Sequence, residues 1–340
     1  MNIYLIARRQ FDAARFGVPF VQKERECWHG HRFMYQIVTS EEADITTSFS
    51  RCDEIERLCE LPEANSDSEL LNRIGHGLQR VVWSELSSAR GLRRVRVLGD
   101  ELMGYFSEIH AAHFLPNVWE GHQCARLHGH NFGIEVVQRD KSSLAHLEAS
   151  EFIKSLLHKK LLNDIKGLVN PTSENLACYL LEIMESSWPT LLAVKVMETR
   201  QAGCIAYLGY KQLQVYRDFS FESATVDNGD LVLGHSYRMR VHLRLPLHDP
   251  LGWTMDYAEI KRMVQPLIDS LDHRDLQLVS LPDQELMDLS SVSALAAQSY
   301  LWLRERMGDG LCMVEVFASD EEGALVMASD QELGSGLWLC

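Results

Sequence analysis

Three histidines in the middle of the chain have the types and spacing of a metal site. His128 and His130 are separated by one residue, and His113 lies on the segment that precedes them. Residues i and i+2 of a β-strand point to the same face, so His128 and His130 would project together, with His113 on the partner strand of a hairpin. Three imidazoles and an open fourth position make a catalytic rather than a structural zinc site. The HxH spacing alone fits hydrogen-bonding histidines equally well.

A cysteine accompanies these histidines. Cys124 lies four residues before His128, on the loop that would enter the same strand. A neighbouring dication would lower the pKa of its thiol and favour the thiolate, the reactive form. A lone cysteine is otherwise more often a buried structural residue. We interpret the nearby His110 and His122 as incidental.

The elements that must position these residues occur three times along the chain. Three pairs of similar strings each predict two strands joined by a loop. They are FDAARF with HGHRFMYQIV at 11–38, FSEIHAAHFL with HGHNFGIEVV at 106–137, and FSFESATV with LGHSYRMRVHL at 219–243. Each pair precedes a predicted amphipathic helix, at 66–86, 170–187 and 290–307, and a strand, at 92–99, 191–199 and 311–318. We expect these helices to begin at Ser68-Glu69, Ser173-Glu174 and Ser293, whose side-chain oxygens can accept from free N–H groups.

The repeats predict three units, at 1–103, 104–214 and 215–340. An extra helix is predicted in the third unit at 257–271, and the shorter spacing in the other two units predicts a trimmed helix there. Only the second unit has the full set of site residues. The first has Arg15, His29 and His31 at the histidine positions and Arg25 at the thiol position, and the third has Thr225, Leu233, His235 and Gly229. A charged Arg15 among three ligands should abolish zinc binding in the first unit.

Composition restricts the class of protein. The formal charge of −15 argues against non-specific nucleic-acid binding, and no run of 18 apolar residues predicts a membrane span. The eight cysteines form no CxxC pair in a chain of 340 residues, so neither a disulfide framework nor a cysteine-rich zinc module is expected. We expect a cytoplasmic protein, without a secretory signal at its N-terminus.

Several strings carry a resemblance to a known family. The second unit resembles the 6-pyruvoyltetrahydropterin and 6-carboxytetrahydropterin synthases, most of all the bacterial 6-carboxytetrahydropterin synthase of queuosine biosynthesis. The strings that carry this resemblance are HAAHFLPNVWEGHQCARLHGHNF, LLNDIKGLVNPTSENLA and VMETRQAGCIAY. The third unit matches over GHSYRMRVHL and GWTMDYAEIKRMVQPLIDSLDHRDL, the first only weakly. The resemblance implies an α+β tunnelling fold, in which four-stranded antiparallel sheets with helices on one face close a pseudo-trimeric barrel. Two chains would then stack as a homodimer equivalent to the family's hexamer.

The resemblance also implies how the site is divided. It assigns zinc to His113, His128 and His130, catalysis to Cys124, and pterin binding to Glu198, whose place is taken by Gly99 and Ala318 in the other units. The family's proton-transferring Asp-His pair is absent from the second unit, which has His158 and Lys159, and from the first, which has Asp53 and Glu54. The third unit has Asp272 and His273. We therefore predict one composite site per chain, between the second and third units.

The predicted reaction is that of a 6-carboxytetrahydropterin synthase acting on 7,8-dihydroneopterin triphosphate, with Zn²⁺ as cofactor. Zinc would act as a Lewis acid, Cys124 would move protons on carbon, and His273, oriented by Asp272, would relay them. Lys159, Lys160 or Arg126 are candidates to bind the triphosphate. Two alternatives remain open: a 6-pyruvoyltetrahydropterin synthase, whose reaction needs only triphosphate elimination and internal redox, and a non-catalytic pterin-binding or scaffold protein.

Overall fold

The computed structural model of the chain describes residues 1–17, 27–40, 81–88, 92–97, 100–139, 143–227 and 231–328. The strands in these ranges are β1 (Asn2–Gly17), β2 (Cys27–Ser40), β3 (Val81–Ser88), β4 (Leu92–Val97), β5 (Asp100–His113), β6 (His128–Gln138), β7 (Leu191–Thr199), β8 (Ala202–Tyr207), β9 (Gln212–Asp227), β10 (Leu231–Pro246), β11 (Arg274–Asp275), β12 (Val279–Ser280), β13 (Leu286–Met287), β14 (Leu311–Phe317) and β15 (Glu322–Met327). The α-helices are α1 (Ser143–Leu157), α2 (Ser173–Glu185), α3 (Tyr257–Leu271) and α4 (Val292–Met307). None of these helices is long and apolar enough to cross a membrane.

One large sheet contains strands from the whole chain. Its order is β10-β14-β15-β1-β2-β3-β4-β5-β6-β7-β8-β9-β11, and β9 also pairs with β10. All neighbours are antiparallel except β11, which runs parallel to β9. Three long hairpins, β1–β2, β5–β6 and β9–β10, recur along the chain. The prediction of three strand pairs from the repeated phrase is therefore confirmed.

Strand β6, in the middle of the sheet, is buried on both faces. Alternate residues of a strand lie on opposite faces, and on β6 Phe132, Ile134 and Val136 belong to the larger apolar core that the helices cover. Val137 belongs instead to a smaller apolar cluster that includes Ala193, Ile205, Met313 and Leu325. Glu135 shares the face of Val137 by the same alternation and is also buried. The side of the sheet away from the helices is therefore an interior with both apolar and charged parts.

The helix starts differ slightly from those predicted. Helix α3 has the predicted bounds, and the side chain of Asp256 accepts a hydrogen bond from Ala258 N at its start. Helix α2 is capped by Thr172 rather than Ser173, and α4 by Ser291 rather than Ser293. In both helices the cap lies just before the first helical residue, where an extended backbone lets the side-chain oxygen reach a free N–H group. This placement leaves Ser173 and Glu174 available for other contacts.

Two other predictions are wrong. Helix α1 has 15 residues, as many as α3, so it is not trimmed. The difference in spacing lies instead in the longer segment 247–256 before α3. Residues 81–86 were predicted as the end of a helix, but they belong to β3, which pairs with β2 and β4. The β-branched Val81 and Val82 suit this paired strand. The rest of that predicted helix lies outside the described residues.

Candidate functional site

The three histidines meet at the loop end of the β5–β6 hairpin, where β5 ends and β6 begins. His113 pairs directly with His128, and His130 lies two residues further along β6. The ring centroid of His113 is 4.3 Å from that of His128 and 5.2 Å from that of His130. Glu198, near the end of β7, joins them, and one ligand atom from each of the four residues lies within 4.8 Å of the others. The hairpin and its neighbouring strand thus bring together the donor set that the HxH spacing predicts.

Hydrogen bonds orient these rings for metal binding. His113 Nδ1 donates to Pro171 O and His128 Nδ1 to Arg126 O, each at 2.7 Å, which leaves the lone pair on Nε2. His113 Nε2 is buried and has no hydrogen-bond partner among the described residues. Burial lowers the pKa of His113, more than its bond to Pro171 raises it. Buried imidazole nitrogens without partners fit a tetrahedral zinc ion with three protein ligands.

Glu198 lies against these histidines. Its Oε1 is 3.2 Å from His130 Nε2. Burial raises the pKa of the Glu198 carboxyl, but the hydrogen bond and charge of His130, with those of His113 and His128, outweigh burial and lower the pKa overall. An ionised carboxylate can accept two hydrogen bonds, as the predicted contact with a pterin ring would need, and can also contact a metal. Its predicted place in the site is consistent with either role.

Cys124 and the metal cluster open into one cavity. The cavity has ≈ 430 Å³ of empty space, part of it open to solvent, and its lining includes His113, Cys124 and Glu198. Cys124 is a free thiol on a short turn between β5 and β6. Burial raises the pKa of this thiol, and Glu198 and Asp256 add to the effect. With the protein's own charges alone the thiol is protonated, so its conversion to thiolate would depend on a nearby cation.

His122, interpreted as incidental from the sequence, lines the same cavity. Its Nδ1 accepts a hydrogen bond from Cys124 N at 3.1 Å, which fixes the turn that carries the thiol. Its ring packs edge-on against Trp119, with a centroid distance of 4.5 Å, and lies beside Trp253. The interpretation of His122 as incidental is therefore wrong. The only signal in the sequence was its position two residues before Cys124.

Glu174 is a second cavity residue that the sequence reasoning missed as part of the site. It is 2% exposed and lies in the first turn of α2, next to the capping Thr172. Its carboxylate accepts hydrogen bonds from Ser173 Oγ at 2.9 Å and from Thr254 N at 3.0 Å. Burial raises the pKa of Glu174 to about 7. In the sequence, Ser173-Glu174 indicated only the start of a helix. The burial of Glu174 in the cavity is what identifies it as part of the site.

The third unit forms one wall of the cavity. Trp253, Met255, Asp256 and Tyr257 come from the segment before α3 and from its first residue. Asn170 Nδ2 donates to Leu251 O at 2.6 Å, which ties this segment to the start of α2. The cavity therefore lies between the second and third predicted units.

The structure does not bring Asp272 and His273 to this cavity. His273 Nδ1 lies 2.9 Å from Asp272 Oδ2, so the two residues do form a pair. The pair follows the last residue of α3, whereas the first residue of α3 lines the cavity. A helix of 15 residues is about 22 Å long. The His273 side chain is 77% exposed. Neither Asp272 nor His273 is among the residues that line the cavity with Cys124, so their predicted role in this site stays a prediction.

The local backbone confirms which residues of the units are equivalent. Lys159 and His273 have positive φ angles of 59° and 55°. Lys159 N donates to His110 O on β5, and His273 N donates to Glu222 O at the same position on β9. Hairpin pairing likewise matches His113–His128 with Arg15–His29 and Thr225–Leu233. Asp53 and Glu54 lie outside the described residues.

In the first unit, the residue equivalent to Glu198 is not the one that the sequence predicted. Three strand pairs occupy equal positions in the hairpins: Met34 with Ser87, Gly133 with Met197, and Arg238 with Phe317. The residues that follow are Ser88, Glu198 and Ala318. Ala318 is as predicted, but Gly99 is wrong because β3, not β4, is the strand that pairs with β2. Because residues 81–88 form the strand that pairs with β2, the residue of the first unit that is equivalent to Glu198 is Ser88 and not Gly99.

The three cations considered for the triphosphate lie outside the cavity. Lys159, Lys160 and Arg126 are exposed, and none of them lines it. Lys160 Nζ donates to Ser155 O at 2.9 Å. Their role stays a prediction.

Comparisons with known proteins identify the family to which the sequence is similar. The family described as 6-pyruvoyl tetrahydropterin synthase matches the chain twice, over residues 105–208 and 216–329. The 6-carboxy-5,6,7,8-tetrahydropterin synthase of Synechocystis sp. is 37% identical over 106 residues, which cover 26% of this chain and 79% of that protein.

Two solved structures were compared with the fold. The 6-pyruvoyl tetrahydropterin synthase of Caenorhabditis elegans aligns over 35% of this chain and 96% of its own, at 19% identity and a TM-score of 0.30. The uricase of Arthrobacter globiformis aligns over 75% of this chain and 98% of its own, at 8% identity and a TM-score of 0.32. The two family matches together cover more than half of the sequence, and the chain therefore belongs to the 6-pyruvoyl tetrahydropterin synthase family.

Proposed function

We propose that the chain is a zinc enzyme of the 6-carboxytetrahydropterin synthase type, which converts 7,8-dihydroneopterin triphosphate in the cavity beside Cys124. The observation that carries the proposal is the cluster of His113, His128 and His130, with donor atoms within 4.8 Å of one another, next to a free thiol. Three protein ligands with room for a fourth is the arrangement of catalytic zinc. The similarity to the Synechocystis synthase supports the carboxy product over the pyruvoyl one.

Each residue has a separate task in this proposal. His113, His128 and His130 would hold zinc, which when bound supplies a Lewis acid beside the side-chain oxygens of the substrate. Cys124 takes and returns a proton on the substrate's carbon. Glu198 accepts hydrogen bonds from the N–H edge of the pterin ring, and Glu174, buried in the same cavity, offers a second carboxylate for that edge.

The Asp272-His273 pair would reach Cys124 from a second chain. Its exposure and its distance along α3 from the cavity argue against a relay within one chain. In a symmetric dimer, each exposed pair can meet the open side of the partner's cavity. We therefore propose a homodimer with two sites, each of which combines Cys124 of one chain with His273 of the other.

The large sheet supports a closed, three-unit barrel as the scaffold. The pairing of β9 with β10, which stand near opposite ends of the strand order, supports closure, and so do the buried apolar residues on both faces of β6. We propose three four-stranded units, with strands β1–β4, β5–β8 and β9, β10, β14 and β15. On this division the second and third units begin at Asp100 and Gln212, four and three residues before the boundaries predicted from the sequence.

Metal content and product analysis test the function. Purified protein should contain about one zinc per chain, because one unit has all three histidines. Three zinc ions per chain, or none, would contradict the proposal. Cleavage of a side-chain carbon–carbon bond of 7,8-dihydroneopterin triphosphate should release acetaldehyde with triphosphate. Release of triphosphate without acetaldehyde would indicate the pyruvoyl reaction, and a zinc-loaded protein without turnover would indicate a binding protein.

A further inference from the structure

The third unit has a cavity at the position that the cavity beside Cys124, here called the Cys124 cavity, has in the second unit. This third-unit cavity has ≈ 720 Å³ of empty space, part of it open to solvent. Its described lining comes from β9, β10, β15 and the start of α4, and from Leu5 on β1 of the first unit. Four of its residues are equivalent to residues of the Cys124 cavity: Thr225 to His113, Ser291 to Thr172, Ser293 to Glu174 and Ala318 to Glu198.

The third-unit cavity lacks the donor set of a metal site. Thr225 and Leu233 occupy two of the three histidine positions, and His235 is the one imidazole that remains. Zinc sites in proteins use three or four protein ligands, so one imidazole is not enough. Among the described residues, metal donors cluster at the Cys124 cavity and not here. A ligand of the third-unit cavity would therefore be held by hydrogen bonds and apolar contacts.

A carboxylate is nevertheless present in this cavity, on the opposite strand of the equivalent hairpin. In the second unit, Glu198 lies near the end of β7 and Ala202 begins β8. In the third unit, Ala318 follows β14 and Glu322 begins β15. The two hairpins thus have glutamate and alanine at exchanged positions, and both Ala318 and Glu322 line the third-unit cavity.

Strand pairing fixes this exchange. Gly203 and Gly323 pair with the residues just before Glu198 and Ala318, so the two hairpins have the same register. Ala318 N donates to Glu322 O at 3.0 Å, which places the two residues opposite each other. Side chains that face each other across a strand pair have Cβ atoms about 5 Å apart. The third-unit cavity therefore keeps a carboxylate, displaced by about one strand spacing.

The polar side chains of this cavity are available to a ligand. Among the described residues, none forms a hydrogen bond or an ion pair with the Glu322 carboxylate or with the Tyr237 hydroxyl. Burial raises the pKa of the Tyr237 phenol, and the charge of Glu322 adds to the effect, so the phenol keeps its proton and can donate it. The Tyr237 ring stacks on Phe221 at a centroid distance of 5.1 Å, and the His235 ring lies 5.5 Å from it. These rings fix the position of the phenol, which lowers the entropic cost of binding.

We propose that the third-unit cavity is a second, metal-independent binding site, which holds a small planar heterocycle by an edge with a ring N–H beside an amino group, as pterins and guanine have. The two oxygens of the Glu322 carboxylate can accept two parallel N–H bonds from such an edge. Leu5, Leu233 and Val292 add apolar lining, which suits the faces of a planar ring. The two cavities share no described lining residue, so the proposal does not depend on the reaction proposed for the Cys124 cavity.

Calorimetric titration of the full zinc-loaded protein with pterin and with guanosine tests this site. Glu322→Gln should weaken binding at one site per chain by about tenfold or more, because an amide replaces one acceptor oxygen with an NH₂ group that opposes the N–H donors of the ligand. Lumazine, which has oxygen in place of the 2-amino group of pterin, should bind this site about tenfold more weakly than pterin. Comparison of the affinities for pterin and guanosine identifies which of the two rings the site prefers.

Matched variants show whether the effect is specific to the third-unit cavity. Asp320→Asn removes an exposed carboxylate from the turn of the same hairpin and should leave the affinity unchanged. Glu198→Gln changes the Cys124 cavity and should leave the binding that depends on Glu322 unchanged. Tyr237→Phe removes only a hydroxyl and should weaken pterin binding by about threefold, which provides a second test if Glu322→Gln does not fold. Circular dichroism of each variant checks that the protein is folded.

Several outcomes would overturn the proposal. Wild-type affinity for pterin and guanosine in both Glu322→Gln and Tyr237→Phe is one, and lumazine binding as tight as that of pterin is another. An equal loss in Asp320→Asn would attribute the effect to overall charge rather than to the cavity. Loss of all binding in Glu198→Gln, with none in Glu322→Gln, would place the ring in the Cys124 cavity alone and would leave the function proposed for that cavity intact.

Discussion

A mixture of Cys124→Ala and His273→Ala chains should regain activity that neither chain has alone. The first residue of helix α3 lines the cavity that contains Cys124, and His273 follows the other end of this helix, about 22 Å away along its axis. We therefore expect that the two groups of one site come from different chains. In a symmetric dimer, each site takes Cys124 from one chain and His273 from the other. A mixed dimer therefore has one site with both substitutions and one site with neither.

The size of the recovery follows from this arrangement. Random pairing of equal amounts of two variants gives about half mixed dimers, each with one intact site of two, so the mixture should reach about a quarter of wild-type activity. The two chains would carry different tags and be co-expressed, and the doubly purified dimer would be assayed for consumption of 7,8-dihydroneopterin triphosphate. That purified mixed dimer should show about half of wild-type activity per dimer.

A matched pair shows whether the recovery is specific. Cys124 and His128 belong to the same half of the site, so a mixed dimer of Cys124→Ala and His128→Ala chains has no intact site and should stay inactive. Inactive dimers of Cys124→Ala with His273→Ala would refute the exchange of His273 between chains. Wild-type turnover by His273→Ala alone would show that the Asp-His pair is not used.

Three further outcomes follow from the described contacts. His113→Ala should lose zinc, measured by metal analysis, because it removes a buried ligand. His110→Ala, which changes an exposed histidine three residues earlier in the sequence, should retain the metal. Cys124→Ala should keep about one zinc per chain and lose turnover, since the three imidazoles are intact; loss of zinc in this variant would mean that the thiol is a ligand. Glu315→Ala should lower the free energy of unfolding by about 3 kcal/mol in a denaturant titration, because His242 Nε2 loses its buried partner at 2.7 Å. Glu305→Ala, at an exposed carboxylate, should change it by less than about 0.5 kcal/mol.

Where local sequence patterns are strong, they predicted the secondary structure correctly. Period-two alternation in the three hairpins and the helical period at 257–271 both predicted the observed elements. Prediction failed at 81–86, where a stretch predicted as the end of a helix belongs to β3, a strand between β2 and β4. The pairing of β3 with β2 joins residues that are far apart in the sequence, so it can override a local preference that the sequence displays. The same failure led to Gly99 being taken as the equivalent of Glu198.

The sequence by itself determined the metal half of the candidate site, because an HxH pair on a strand and a histidine on its hairpin partner meet through local pairing. It also indicated Cys124, which lies in the connecting loop. Only the tertiary structure decided that Glu174 and His122 share the cavity and that Asp272 and His273 do not. These placements depend on how the segment before α3 packs against the start of α2, through contacts between residues about eighty positions apart. Spacing along the chain carries no information about such contacts, since the intervening helices and strands set the distance.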